Sequence, residues 1–400
     1  MNGSQKYYEF DLLEYNYNYN YYKFRGGIYY DVSRQKIMIP EELMSQMNPI
    51  KENNISENIN KTTGLVNYGH SCSINALLQC LINCVPLTKY FLTEYNKENN
   101  NSLSDLYQGF IKKYQQKDVY AAQKIINYFL NYNSSIKNTG GDSKDVLFDF
   151  FDKIQSELKQ SEISIIIDES TSPENEKDVI DERIKLDNAD YSIIYKCFNF
   201  WIKNEQKCLC SRCPEFNKTL YEIRSETYFV FYLGEIYNKK YCSGRGNGYN
   251  NKLSLEDCFF YHFIEKGKCT YCRRNLDIKN KICKLPNILI IVLNRGKNNH
   301  FNVDIEFNQE LNLDKYYQKI RYNDNKLNLD GCPKYHLLCG TILEKYYLDP
   351  GKGHTIAFAT DYNGKYNIYD DEKIKYKEDF QNIKNKDVYI LFYQMENKSK

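Results

Sequence analysis

A cysteine at the first turn of a helix is well placed to act as a nucleophile, because the unpaired backbone N–H groups and the helix dipole stabilise its thiolate. Cys72 occupies such a position. In the run SCSINALLQCLINCVPL, residues Ile74, Leu77, Leu78, Leu81, Ile82 and Val85 recur at helical spacing. Ser71 is the expected N-cap and Pro86 the expected stop. Asn67, five residues before the thiol, carries an amide that can donate to a developing oxyanion. The competing reading of Cys72 is a small buried helix residue, and that reading is preferred for Cys80 and Cys84 on the same helix.

A thiol nucleophile needs a base, and the chain offers only 5 histidines. His262 and His336 lie in apolar or aromatic stretches and read as packing residues, and His300 lies in the polar loop RGKNNHF. His354 follows the glycine-rich DPGKG and opens a strand, where the backbone can bring an imidazole close to another lobe. DYNGK, 361 to 365, is a hairpin signal that returns the chain so that Asp370 and Asp371 approach His354. A carboxylate there can accept from the imidazole and fix its tautomer.

Two further groups carry chemistry. Cys210-Ser-Arg-Cys213 and Cys269-Thr-Tyr-Cys272 are CxxC pairs that together supply the four thiolates of a structural zinc ion, with Cys208 left unassigned. Four separately buried cysteines are the alternative. The long separation of the pairs places them at the ends of a β hairpin or finger. Asp142 and Asp145 follow Gly140-Gly141 at the start of a helix, where capping alone accounts for them. Their spacing also suits gripping arginines of an extended peptide.

The elements that must position these groups differ along the chain. Residues 1–60, with the tract YNYNYNYY, read as a low-complexity and partly disordered extension. Residues 61–400 then form one catalytic unit, with a finger region at about 200–282. Up to about residue 160 this unit is expected to be mainly helical, with a helical region from Leu103 to Tyr132 and a helix in DSKDVLFDFFDKIQSEL. The acidic stretch 167–183 reads as a solvated loop or insertion. Beyond 215 the segments TLYEIRSETYFVFYL, NILIIVLN, YHLLCGTILE, HTIAFAT, KYNIYD and DVYILFYQ are strand-like. The fold expected is α+β, a helical lobe followed by a largely antiparallel β lobe.

Composition narrows the classes. Lys plus Arg is 54 against 52 for Asp plus Glu in 400 residues, so no long-range field draws in nucleic acid or an anionic membrane, and no basic patch is expected around the CxxC pairs. The longest apolar run, LPNILIIVL, is about half the length that crosses a bilayer and reads as a buried strand. Without a cationic start and apolar core at the N-terminus, a secretory signal is not expected. The expected compartment is cytoplasmic or nuclear. The 14 cysteines then serve as metal ligands, a nucleophile and buried apolar residues.

A series of segments, in order, resembles the ubiquitin-specific protease family, a papain-like group with a helical thumb, a β palm and zinc-bearing β fingers. GLVNYGHSCSINALLQCL resembles its cysteine box and GDSKDVL its short acidic helix start. CSRC through LSLEDCFFYHFIEKGKCTYC, then LPNILIIVLNR, resemble the fingers and the following strand. YHLLCGTILE, GKGH, YNIYDD and DVYILFYQ resemble its histidine box. The resemblance covers about 62 to 395 and implies Cys72 as nucleophile, Asn67 as oxyanion donor, His354 as base and Asp370 as its partner. It also implies one structural zinc ion on Cys210, Cys213, Cys269 and Cys272, and Asp142 and Asp145 as holders of the basic ubiquitin tail. The implied reaction is hydrolysis after the terminal glycine of ubiquitin, with ubiquitin and ubiquitinated proteins as partners and neither nucleic acid nor membrane. A ubiquitin-binding protein without turnover is the rival. His70, Ser73 and Thr355 depart from the family's usual residues, as do Asp145-Val146 and Gly296, without removing a catalytic group.

Overall fold

The computed structural model describes residues 7–11, 29–31, 36–40, 62–96, 102–132, 141–159, 176–189, 192–242, 252–296, 301–319, 332–345, 353–361, 363–384 and 387–396. The chain divides into two compact units, Met1–Asn60 and Lys61–Lys400. In the first, β1 (Tyr7–Asp11), β2 (Tyr29–Asp31) and β3 (Lys36–Pro40) form an antiparallel sheet in the order β1-β3-β2. The YNYNYNYY tract lies outside the described residues.

The second unit begins with helices: α1 (Cys72–Asn83), α2 (Val85–Thr93), α3 (Leu103–Gln115), α4 (Gln123–Tyr132), α5 (Ser143–Leu158), α6 (Glu176–Ala189) and α7 (Ile193–Phe198). The apolar spacing of α1 places it deep in the lobe, and every residue from Cys72 to Ile82 is buried. Pro86 does not end α1. It sits in the first turn of α2, where its missing N–H costs nothing, and the chain turns at Cys84 instead. The region Leu103 to Tyr132 is two helices, α3 and α4, and between them Lys117 takes a positive φ of 62°. The stretch 167–183 is not wholly a loop, since α6 begins at Glu176. Its Val179, Ile180 and Ile184 pack on Trp201, Ile223 and Cys283, so tertiary burial overrides the acidic composition.

Three strands follow as a separate finger sheet in the order β5-β4-β8, all antiparallel: β4 (Phe200–Cys208), β5 (Thr219–Glu226) and β8 (Leu276–Lys284). Between β5 and β8 come β6 (Phe229–Tyr232), β7 (Lys252–Ser254) and helix α8 (Leu255–Phe263), which a Ser254–Asp257 capping box opens. The remaining strands are β9 (Ile288–Asn294), β10 (Asp304–Glu306), β11 (Glu310–Leu311), β12 (Tyr335–Lys345), β13 (Gly353–Thr360), β14 (Tyr366–Asp370), β15 (Lys373–Glu378) and β16 (Val388–Met395). They build the main sheet in the order β15-β14-β13-β12-β16-β9-β6, with β11 on β12. Only β6 and β9 run parallel in it, and β10 and β7 form a small parallel pair outside it.

The main sheet is buried on both faces. Ile288, Ile290 and Val292 enter the core shared with the helices, while Leu289, Ile291 and Leu293 enter a second core with Phe200, Phe229 and Phe259. That double burial explains why LPNILIIVL is continuously apolar instead of alternating. Helix α1 lies against β12, β13 and α5, so the start of α1 and the ends of β13 and β14 are held by one core. The architecture is the expected mixture of a helical lobe, a β lobe and a finger sheet.

Candidate active site

Cys72 is the first residue of α1 and lies on the border of burial, at 9% exposure. The loop before it is shaped by two successive left-handed residues, Gly69 (φ 73°) and His70 (φ 57°). Histidine is one of the few side-chain-bearing residues that tolerates this region, as asparagine does. Ser71 gives α1 no side-chain cap. Its hydroxyl instead accepts from Tyr68 N (3.0 Å) and donates to Asn67 Oδ1 (3.1 Å), closing the loop.

His354 is on β13, and the antiparallel hairpin through Asn363-Gly364 brings β14 back beside it. The hairpin works through Asp361, which accepts from the N–H groups of Asn363 and Lys365, and through Gly364 at φ 73°. His354 Nε2 then lies 2.6 Å from Asp370 Oδ1. With Nε2 engaged, Nδ1 is the nitrogen left for a hydrogen bond with Cys72. Cys72 is the largest influence raising the imidazole's pKa to about 9; Asp370 and Asp371 add to it and burial opposes it. The imidazole is therefore held by Asp370 and lies within electrostatic reach of Cys72.

Asp371 does more than the sequence indicated. It sits at φ 51° just past β14 and its carboxylate accepts from Asn67 Nδ2 (2.7 Å) and Asn75 Nδ2 (2.8 Å). Its carbonyl accepts from Leu65 N (2.8 Å). A methyl group on Gly64 would meet the Glu372 carbonyl oxygen at 2.3 Å, so only glycine lets the two segments approach this closely. Asn67 is thus fixed through one amide hydrogen, with Oδ1 engaged by Ser71, and its second N–H remains as a donor. The signal for Asp371 was the doubled aspartate, which does not reveal which of the two faces the helix.

Among the other histidines, His262 packs edge-on against Phe229 and Phe231, and burial lowers its pKa to about 4. His336 lies on β12, 3.8 Å from Glu396. His300 lies outside the described residues.

The two members of the acidic pair are not equivalent. Asp142 is the N-cap of α5: Oδ1 accepts from Lys144 N (2.9 Å) and Oδ2 from the Tyr389 hydroxyl (2.7 Å). Asp145 is 56% exposed, and Lys144 Nζ lies 3.3 Å from its carboxylate. Capping and the tie to β16 account for Asp142, whereas Asp145 presents an open carboxylate.

At the far end of the finger sheet, Cys208, Cys213, Cys269 and Cys272 bring their sulfurs within 4.8 Å of one another, and this group could bind a metal ion. Cys210 is not in the group. Cys208, unassigned from sequence, takes its place, because it ends β4 opposite Leu276. The pairs Cys208–Cys272 and Cys213–Cys269 are each 3.7 Å apart. Tetrahedral zinc with Zn–S bonds of about 2.3 Å needs sulfurs about 3.8 Å apart. The donor set fits zinc.

Comparison with known proteins agrees with this geometry. The family model for ubiquitin carboxyl-terminal hydrolase matches residues 63–393. The chain is 24% identical over 344 residues to ubiquitin carboxyl-terminal hydrolase 16 of Arabidopsis thaliana, an alignment covering 82% of this chain and 30% of that protein. It is 22% identical over 382 residues to probable ubiquitin carboxyl-terminal hydrolase 16 of Schizosaccharomyces pombe, covering 91% and 72%. The chain thus spans under a third of the first of these relatives. The solved SAGA DUB module containing Ubp8 bound to monoubiquitin superposes with a TM-score of 0.59 at 16% identity, covering 85% of this chain and 70% of that one.

Proposed function

The chain belongs to the ubiquitin carboxyl-terminal hydrolase family, and from that premise we propose that it is a thiol-dependent deubiquitinase hydrolysing the isopeptide or peptide bond after the terminal glycine of ubiquitin. The observation that carries the proposal is the His354–Asp370 pair acting on Cys72 at the start of α1, with Asn67 in the preceding loop tied to Asp371. His354 Nδ1 takes the proton of Cys72, while Asp370 holds Nε2–H and the ring orientation. The thiolate attacks the glycine carbonyl. The second N–H of Asn67 and the N–H groups of the first turn of α1, which have no i−4 carbonyl within the helix, face the developing oxyanion. The imidazolium protonates the leaving amine, and water, activated by the same imidazole, resolves the thioester.

Asp145 is assigned to the arginines of the ubiquitin tail, with Asp142 holding the helix start that presents it. One zinc ion on Cys208, Cys213, Cys269 and Cys272 is assigned a structural role: four thiolates close the site and leave no position for a water to be activated. Residues 61–400 are read as the catalytic unit and 1–60 as an extension to it. The compartment is read as cytoplasmic or nuclear.

The test is release of a fluorophore from the C-terminus of ubiquitin. Turnover by the parent chain that disappears in Cys72→Ala is expected. Tight ubiquitin binding with no turnover by the parent would make the protein a ubiquitin-binding module instead.

A further inference from the structure

We propose that the far end of the finger sheet is a docking surface for an anionic lipid membrane. Near-neutral overall charge hides a local concentration of cations. The thiol cluster draws together two loops, 208–218 and 266–274, that are far apart in the chain. Arg212, Lys266, Lys268, Arg273 and Arg274 are all exposed on these loops, and among the described residues none has a carboxylate partner. Lys218 is matched by Glu215 at 3.1 Å.

Apolar side chains stand out at the same end. Leu209 is 58% exposed, Tyr271 67%, Leu220 64% and Phe216 42%. Their exposure is built in. Phe216 N donates to Cys213 O, Asn217 N to Cys208 O, Cys269 N to Arg274 O and Arg273 N to Cys269 O, so both loops are bonded down around the sulfurs. The end also projects: β4 runs nine residues from Phe200, fully buried in the core, to Cys208, which at ~3.3 Å per residue is a reach of roughly 25 Å.

Cations interleaved with exposed leucine and aromatic side chains at a projecting end match a membrane interface. Lys and Arg meet anionic headgroups there, while Leu, Phe and Tyr enter the boundary below them. A nucleic acid would use the arginines and stack on Tyr271 and Phe216, but it leaves two exposed leucines without a role. An acidic protein surface would not call for four large apolar groups among the charges. The absence of a bilayer-crossing apolar run does not bear on this mode, which lies on a membrane without spanning it. The inference stands independently of the catalytic reading.

The experiment is flotation of the full chain with vesicles of phosphatidylcholine alone or with phosphatidylserine. Binding is expected with phosphatidylserine only, weakening as salt rises. Lys268→Gln with Arg273→Gln and Arg274→Gln should weaken it on the order of tenfold or more. Leu209→Ser with Tyr271→Ser should also weaken it severalfold with the charge unchanged. Thermal melting and ubiquitin turnover of each variant, both expected at parental values, report folding. No flotation of the parent chain, or flotation unaffected by the serine variant, overturns the proposal. So does a single-stranded RNA that binds the tip while the vesicles do not, which would make the surface a nucleic-acid site.

Discussion

Cys72, Asp370 and Asp371 all favour the protonated form of His354, against the burial that opposes it. Its pKa of about 9 lies above the ordinary histidine value, so the imidazolium persists through neutral pH. The stabilisation it gives the fold is complete below about pH 6.5 and is lost as the pH rises through about 9. A rate that needs this imidazolium to protonate the leaving amine should fall on the alkaline side near pH 9. Asp370→Asn removes one of the three groups that raise the pKa, so the alkaline limb of kcat/KM should move to lower pH, and kcat should fall. An unmoved limb would mean Asp370 does not face the working imidazole. Asp145→Asn should weaken ubiquitin binding by about 1 kcal/mol, roughly fivefold, because an exposed pair already shared with Lys144 is worth little more. Asp142→Ala should instead lower stability by about 1 kcal/mol through loss of the cap. Binding by titration and melting by calorimetry separate the two. The placing of Cys72 at a helix start and of His354 beside Asp370 was legible because helix start, glycine turn and hairpin are local signals. The division of labour between Asp142 and Asp145 was not, since it depends on Tyr389, 247 positions away.

At the scale of elements, the strands were readable from composition and alternation, and the buried β9 from its continuous apolar run. Helix α6 was not. Its charges suggest solvent, and only the folded chain reveals Asp187 accepting from Arg183 (2.7 Å), Trp201 Nε1 (2.6 Å) and Lys284 (3.0 Å). The contact of the 63–67 segment with the turn after β14 was equally invisible, because it joins residues some 300 positions apart. That contact sets the position of Asn67, and it depends on the missing side chain of Gly64. Gly64→Ala forces the segment away from Glu372. We expect kcat to drop by about tenfold or more, the order lost when an oxyanion donor is misplaced, with a smaller change in KM. Steady-state kinetics on the fluorogenic substrate would measure it. Unchanged kcat with lowered stability would show that the contact only supports the fold.

Over the whole molecule, the family's order of segments made the α+β architecture readable, whereas the identity of the fourth thiol was not. CxxC spacing favours Cys210, but the strand carries Cys208 to the cluster. One zinc ion per chain is expected by metal analysis, lost in Cys208→Ser and retained in Cys210→Ser. The reverse pattern would restore the spacing-based set. Removal of the ion by a chelator should loosen the finger sheet, whose outer end has a core of little besides the thiols and Leu276. The central claim concerns the other end of the molecule, where helical lobe and main sheet meet at Cys72. The most direct measurement is reaction of the full chain with ubiquitin carrying an electrophile at its C-terminus, followed by mass spectrometry of the product. We predict a single adduct, one ubiquitin per chain, on Cys72, absent from a folded Cys72→Ala variant. Labelling that persists in that variant, or an adduct on any other of the 14 cysteines, would contradict the account.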